Sequence, residues 1–306
     1  LYNYMSQILV ELIKLANLII TITKALACAG RIESVFDVTS GMADGSVKEA
    51  VAKEEQPGVE FKNVSLTYSG SGAPSVEGIN FKAMKGQTIG VIGGTGSGKS
   101  SLVNLIPRLY DATQGEVLVD GVNVKDYDIE ALRNKVGIVM QKAVLFKGTI
   151  RESMWMGKKG ATDEQIDEAL EISQSKEFVD SKQGRLDYVI EQGGKNLSGG
   201  QRQRLTIARA IVRKPDVLIL DDSASALDFA TDAALRKAIR GMNNSPTVFI
   251  VSQRAASLMY ADLIIVLDDG QVAGMGTHDE LLANCEVYKE IYESQFKKAD
   301  SEGGVA

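Results

Sequence analysis

Thr88-Ile89-Gly90-Val91-Ile92 runs directly into Gly93-Gly94-Thr95-Gly96-Ser97-Gly98-Lys99-Ser100, and this stretch decides the fold. The apolar run reads as a buried strand closed by glycines, and residues 100–109 behind it read as a helix. Glycines let the connecting loop turn tightly, so that successive backbone N–H groups point inward. The helix beginning near Lys99 adds its positive N-terminal end. The loop fits G-x-x-x-x-G-K-[ST], which predicts a cradle for a nucleoside triphosphate: Lys99 reaches the β- and γ-phosphates and Ser100 offers its hydroxyl to Mg²⁺. The competing reading is a glycine-rich turn that fits by chance.

Outward from the loop, Val217-Leu218-Ile219-Leu220-Asp221 is a second apolar strand, ending in a carboxylate placed to hold Mg²⁺. Taken alone it is equally an ordinary buried strand with a terminal aspartate. Val59, Phe61, Val64 and Leu66 suggest an early strand and residues 79–81 another. Apolar runs at 248–251 and 263–267 alternate with helical stretches such as 230–242. This alternation predicts an α/β core with a mostly parallel sheet. Residues 142–213 break it, with helical patterns clearest at 162–173 and no convincing strand before Val217, and they read as a helical insertion.

The chain has 306 residues, 34 Lys+Arg against 40 Asp+Glu, and 44% apolar content. Such a length buries a proper core. A net charge of -6 without a basic block argues against a nucleic-acid partner. Cys28 and Cys285 stand far apart, which disfavours a disulfide framework or structural zinc. His278 is the one histidine, so chemistry needing two imidazoles is excluded. It sits between Thr277 and Glu280, which read as a capping box, and is expected to be an exposed helix-start residue. The first residue is Leu1 rather than a methionine, which suggests a fragment, a processed product or a trimmed chain.

Residues 1–35 read as one long helix, its apolar stretch interrupted by Glu11 and Lys14 and so short of the roughly 18 consecutive apolar residues of a membrane span. Either it is an amphipathic helix packed on the protein body, or it is the cytoplasmic end of a membrane helix. Residues 37–57 have linker composition, with Thr39-Ser40-Gly41, Asp44-Gly45-Ser46 and Lys53-Glu54-Glu55. Residues 297–306 are expected to fray. Met154-Trp155-Met156 reads as buried side chains of the insertion, or as a contact surface. Asp163, Glu164, Asp167 and Glu168 read as a solvated helix face.

Leu197-Ser198-Gly199-Gly200-Gln201 precedes a helix running to about Val212. A hydroxyl and small residues at a helix start make a second anion site, or a plain N-cap. In this order and spacing the set resembles the ATP-binding cassette (ABC) family over roughly residues 59–296, and in particular the nucleotide-binding domain of an ABC exporter. The resemblance implies a P-loop NTPase core with a mostly parallel sheet, an antiparallel β subdomain and a helical insertion, preceded by the long helix. It implies that Tyr68 stacks on adenine and that Gly93, Gly94, Thr95, Gly96, Ser97, Gly98, Lys99, Ser100 and Ser101 hold ATP. Gln141 senses Mg²⁺, and Asp221 with Ser100 holds it. Ser225-Ala226-Leu227-Asp228 contacts a second domain. Leu197 to Gln201 corresponds to the family's signature; two such domains stack head to tail, so Ser198, Gly199, Gly200 and Gln201 close over the partner's nucleotide. Residues 1–36 become the end of the last membrane helix, 37–57 the linker, 58–296 the nucleotide domain with its helical part at about 142–213, and 297–306 the tail. The remaining membrane domain is missing from this chain. The expected place is the cell membrane, with the nucleotide domain cytoplasmic.

Two positions depart from the family pattern. After the magnesium acid the family has a glutamate acting as general base; here Asp222 stands, one methylene shorter. The family histidine that contacts the γ-phosphate is replaced by Gln253 in Val251-Ser252-Gln253-Arg254, and a carboxamide cannot relay a proton. Both losses fall in one site while the signature stays intact. The expectation is an ATP-binding exporter subunit, impaired in hydrolysis at its own site and paired with a second, competent half-transporter. The alternatives are a homodimer with tolerated variants, a soluble ABC ATPase, and a module that only binds ATP.

Overall fold

The computed structural model describes residues 2–38, 41–50, 56–223 and 226–302, with side chains as far as Gln295. The chain divides into two units, Leu1–Ala43 and Asp44–Ala306.

The first unit is helix α1 (Tyr2–Phe36), none of whose residues is buried. At 1.5 Å per residue it extends about 50 Å, more than the roughly 30 Å of a bilayer's hydrocarbon. An 18-residue window reaches a mean hydropathy of 1.7, so α1 is long and apolar enough to cross a membrane. Some of its polar side chains bond within the helix: Lys14 pairs with Glu11 at 2.7 Å, and the Thr21 and Thr23 hydroxyls donate to the carbonyls of Asn17 and Ile19.

The second unit starts with β1 (Val59–Leu66), β2 (Val76–Ala83), β3 (Thr88–Gly93), α2 (Lys99–Asn104), β4 (Gln114–Val119) and β5 (Val122–Asn123). Next come α3 (Ile129–Lys135), β6 (Val136–Val139), β7 (Gly148–Thr149), α4 (Ile150–Trp155), α5 (Asp163–Ile172), α6 (Lys176–Asp180) and β8 (Val189–Ile190). The last elements are α7 (Gly199–Ile211), β9 (Val217–Asp221), α8 (Phe229–Arg240), β10 (Thr247–Val251), β11 (Leu263–Asp268), β12 (Gln271–Gly276), α9 (His278–Asn284) and α10 (Glu286–Glu302).

A six-stranded sheet has the order β12-β11-β3-β10-β9-β6; only its β12 edge pairs antiparallel. Both faces are covered, and the residues of β9 alternate accordingly. Leu218 and Leu220 enter one core with the helical insertion. Val217 and Ile219 enter the other, with the separate antiparallel sheet β2-β1-β4-β5, where Phe61 stacks on Phe81 at 4.5 Å. The α/β class, antiparallel subdomain and long first helix agree with the sequence expectation. In the parallel part, register places Val251 beside Asp221 and Val91. The carboxyl ends of β3, β9 and β10 therefore share one edge, the crevice where open α/β sheets hold ligands.

Local differences have local causes. Helix α2 stops at Asn104, short of the expected 109, because Pro107 disfavours helical backbone at Ile106. The insertion contains the two-residue pair β7–β8, too short to leave a periodicity. Within the expected linker, Gly45, Ser46 and Val47 donate backbone N–H groups to the Tyr127 and Asp126 carbonyls, and Asp44 Oδ1 accepts from Ile129 N at 2.8 Å. That segment docks on a fully buried Tyr127, ahead of the expected domain start at 58. Residues 39–40 and 51–55 of the expected linker lie outside the described residues, as do 303–306 of the expected tail; α10 runs on to Glu302.

His278 differs from its expectation. It opens α9 behind the Thr277–Glu280 capping box, as read, but it is half-buried. Its Nδ1 lies 2.8 Å from the Tyr288 hydroxyl, and its ring meets Tyr292. Of the Met154-Trp155-Met156 group only Met154 is buried; Trp155 and Met156 reach the surface. Three of the four acidic residues read as a solvated face of α5 also form ion pairs, Asp163 with Arg151, Asp167 with Arg185 and Glu168 with Lys214, while Glu164 is exposed as expected.

Candidate functional site

A cleft of about 260 Å³ opens at the carboxyl edge of the parallel sheet, and among its lining are Thr95, Gly96, Gly98, Lys99, Ser100 and Ser101 from the glycine loop. Gly96 and Gly98 have φ of 83° and 92°. A Cβ on Gly98 would lie 2.3 Å from the Ser75 carbonyl, so only glycine lets the loop pass β2. A Cβ on Gly93 would meet the Leu267 carbonyl at 2.1 Å.

Lys99 is buried, and its Nζ donates to Gly93 O at 3.0 Å, Gly94 O at 2.5 Å and Ser97 Oγ at 3.3 Å. Burial lowers its pKa, while the charges of Asp221 and Asp222 pull it back up. The ammonium is thus held within the loop by three oxygens that a phosphate can replace. Tyr68 sits at the margin: its hydroxyl donates to Ser101 Oγ at 3.0 Å, and its ring lies edge-on to Tyr110.

The other lining groups come from the ends of β6, β9 and β10: Gln141, Asp221, Asp222, Val251, Ser252 and Gln253. Asp221 is buried, and its pKa is raised by that burial, although the Ser100 hydroxyl bonds to the carboxylate and holds it down. Asp222 has φ of 44°, a left-handed backbone that aspartate tolerates better than most residues. Its N–H donates to the Val251 carbonyl at 2.9 Å. Gln141 Nε2 donates to its Oδ2 at 3.3 Å.

Among the described residues no three His, Cys, Asp or Glu side chains form a metal cluster. The oxygen set of Ser100, Asp221 and Gln141 instead suits Mg²⁺, which takes one or two carboxylates and completes its shell with phosphate oxygens and water. The Ser100–Asp221 hydrogen bond already joins the two anionic and hydroxyl donors of that set.

The signature residues are not part of this lining. Ser198 N-caps α7 through a capping box: its Oγ accepts from Gln201 N at 3.2 Å, and Gln201 Oε1 accepts from Ser198 N at 3.1 Å. The plain-cap reading of Ser198 is therefore correct locally. It leaves the hydroxyl proton, and the N–H groups of the first turn, to face an anion. Asp228 N-caps α8, accepting from Thr231 N at 2.9 Å and from the Thr231 hydroxyl at 2.8 Å; those bonds lower its pKa. Ser225 lies outside the described residues.

Two cleft residues escaped the sequence reading. Ser75 precedes β2, far from any motif, and only folding brings its carbonyl against Gly98. Ser252 was visible only as a neighbour of Gln253; its Oγ accepts from Arg254 N at 2.9 Å. A second cavity, about 270 Å³ under α8, is lined by Leu220, Ile239, Val248 and Ile250 and holds none of these groups.

Residues 76–225 match the family described as ABC transporter. The chain is 39% identical over 301 residues to an uncharacterised ABC transporter ATP-binding protein of Bacillus subtilis, a match covering 98% of this chain and 52% of that protein. It is 38% identical over 306 residues to one of Mycobacterium tuberculosis, covering 99% and 52%. A Staphylococcus aureus protein provisionally named for multidrug export is 36% identical over 264 residues, covering 86% and 45%. A bacterial Atm1-family ABC exporter with ATP bound superposes with a TM-score of 0.82 at 30% identity, covering 90% of this chain and 48% of that one. The chain spans about half the length of the relatives it matches.

Proposed function

Because residues 76–225 belong to the ABC transporter family, we propose that the chain is the ATP-binding subunit of an exporter and the weakly hydrolysing half of a heterodimer. One observation carries this reading. The loop of Lys99, Gln141, Asp221, Asp222 and Gln253 share a cleft, while Ser198, Gly199, Gly200 and Gln201 stand outside its lining. A complete signature that does not serve its own cleft is suited to a second domain stacked head to tail.

In this scheme the backbone N–H groups of residues 94–100 bind the β- and γ-phosphates of ATP, and Lys99 exchanges its loop carbonyls for phosphate oxygens. Tyr68 covers the adenine. Mg²⁺, when bound at Ser100, Asp221 and Gln141, neutralises charge on the phosphates. Asp222 is the carboxylate nearest the role of general base, and Gln253 donates to the terminal phosphate. An aspartate withdraws the carboxylate by about 1 Å relative to glutamate, and a misplacement of that order costs up to about 10²-fold in rate. Without an imidazole, Gln253 supplies a hydrogen bond and no proton transfer. Closure of the two domains on ATP, and reopening after hydrolysis in the competent site, would drive the membrane domains.

The membrane assignment draws on α1, which has the length and hydropathy of a spanning helix. It draws also on a groove of about 460 Å³ whose lining includes Ile138, Val144, Phe146, Met156, Arg209 and Arg213. Phe146 and Met156 are 58% and 53% exposed there, the kind of surface a cytoplasmic loop of the membrane domain would cover.

The test is ATP hydrolysis by the chain alone against the chain co-expressed with a half-transporter that has glutamate in the base position. Slow turnover alone and fast turnover in the pair is the expected result; brisk turnover alone overturns it. That second outcome belongs to a homodimer, a reading favoured by the fact that Asp222 still brings a carboxylate to the cleft.

A further inference from the structure

The loop that carries Gln253 is gripped from behind by the last helix. Gln295 of α10 donates from Nε2 to the backbone carbonyl of Gln253 at 2.7 Å. Its Oε1 accepts from the backbone N–H of Ala255 at 2.9 Å. One carboxamide thus binds both sides of Arg254, as a neighbouring strand would. Helix α10 is itself fixed: Tyr288 is fully buried, and Val287, Ile291 and Tyr292 pack on the core of the parallel sheet. On the loop side Ala255 is fully buried, whereas the Gln253 side chain is exposed and lines the cleft. The loop backbone is held at one end by the Asp222 N–H on the Val251 carbonyl and at the other by Gln295.

We infer that Gln295 is a positioning residue for the phosphate end of the cleft: by holding the Gln253 backbone it aims the Gln253 carboxamide at the terminal phosphate of a bound nucleoside triphosphate. The inference rests on the proposed reading of Gln253 as the residue facing that phosphate. Glutamine fits the demand by chemistry and length. Glutamate has no donor for the Gln253 carbonyl, lysine has no acceptor for Ala255, and asparagine is one methylene short.

Nucleoside diphosphate lacks the group that Gln253 would contact, so the readout is the ratio of ADP to ATP dissociation constants, measured on the full chain with trinitrophenyl nucleotides. Gln295→Ala and Gln295→Glu are compared. The second keeps the Ala255 bond and the α10 packing, and sets a carboxylate oxygen against the Gln253 carbonyl in place of the donor. Both are expected to lower the preference for ATP about fivefold, the equivalent of one lost hydrogen bond, with ADP affinity unchanged. A full preference in Gln295→Glu, or equal weakening toward both nucleotides, overturns the inference. Gln253→Ala is measured alongside. If it leaves the ratio intact, the phosphate-facing reading of Gln253 falls; if it lowers the ratio and Gln295→Glu does not, the positioning role alone falls.

Discussion

Gln141 and Asp222, 81 positions apart in sequence, meet across the cleft, the carboxamide Nε2 donating to the carboxylate Oδ2 at 3.3 Å. At that length, with Gln141 exposed, the bond is worth little net stability. Its interest is geometric. The carboxylate proposed to activate water is turned toward the loop of Gln141, on a left-handed backbone tied to Val251. Changing its orientation or reach therefore changes the chemistry more than the fold.

The first prediction follows from reach. Asp222→Glu with Gln253→His restores both a longer carboxylate and an imidazole. In the assembled pair, single-turnover hydrolysis at this site is expected to rise about 10²-fold, read from radiolabelled ATP in a quenched-flow experiment. An unchanged rate means that these two residues do not limit the site.

The glycine loop and the strand ending in Asp221 were legible because each is a contiguous run whose residue types answer to one physical need. Ser75 and Gln295 were not. Each acts through hydrogen bonds or contacts to backbone, formed between segments far apart in sequence, and neither residue type announces such a contact. Helix α2 was overextended because its apolar pattern continues past the point where Pro107 ends it. The half-buried place of His278 depends on Tyr288 and Tyr292 of the next helix, which a capping-box reading does not bring together. The second role proposed for Ser198 rests on resemblance, since locally the residue is a well-formed cap.

A pH dependence follows from Lys99. Its pKa lies below the ordinary 10.5 because of burial, and the phosphates need the ammonium form. As pH rises through the lowered value, the free protein loses that proton and affinity for ATP falls, by about tenfold per unit beyond it. The loss therefore begins below pH 10.5. Lys99→Arg keeps its charge throughout and should show a flat profile, even if weaker overall. Fluorescent-nucleotide titrations between pH 7 and 10.5 decide it; a parent profile that stays level refutes the account.

Asp221 gives the opposite kind of test, on stability. Burial raises its carboxylate above the ordinary 3.8, so the ionised form costs stability at every pH above the folded value, and the cost fades as pH falls through it toward 3.8. Asp221→Asn removes the charge. The variant should melt at a higher temperature than the parent near pH 7, and the gap should close on acidification. It should also lose the stimulation of ATP binding by Mg²⁺. A variant less stable than the parent at neutral pH would contradict the burial argument.

The last prediction separates the two proposed anion sites. Ser198 lies outside the lining of the cleft, so Ser198→Ala should leave the chain's own ATP affinity within about twofold, a difference of under 0.5 kcal/mol. The same change removes an N-cap and should cost about 1 kcal/mol of stability, seen in thermal melts of the chain alone. The larger effect belongs to the pair. There the missing hydroxyl withdraws a hydrogen bond from the terminal phosphate held by the partner, and hydrolysis should fall about tenfold or more, as when a charge-assisted bond is lost. Ser198→Thr keeps the hydroxyl and the cap, and should restore much of the rate. A Ser198→Ala pair that turns over at the parent rate would leave α7 with a capping role only, and a loss of ATP affinity in the isolated chain would place Ser198 in its own cleft.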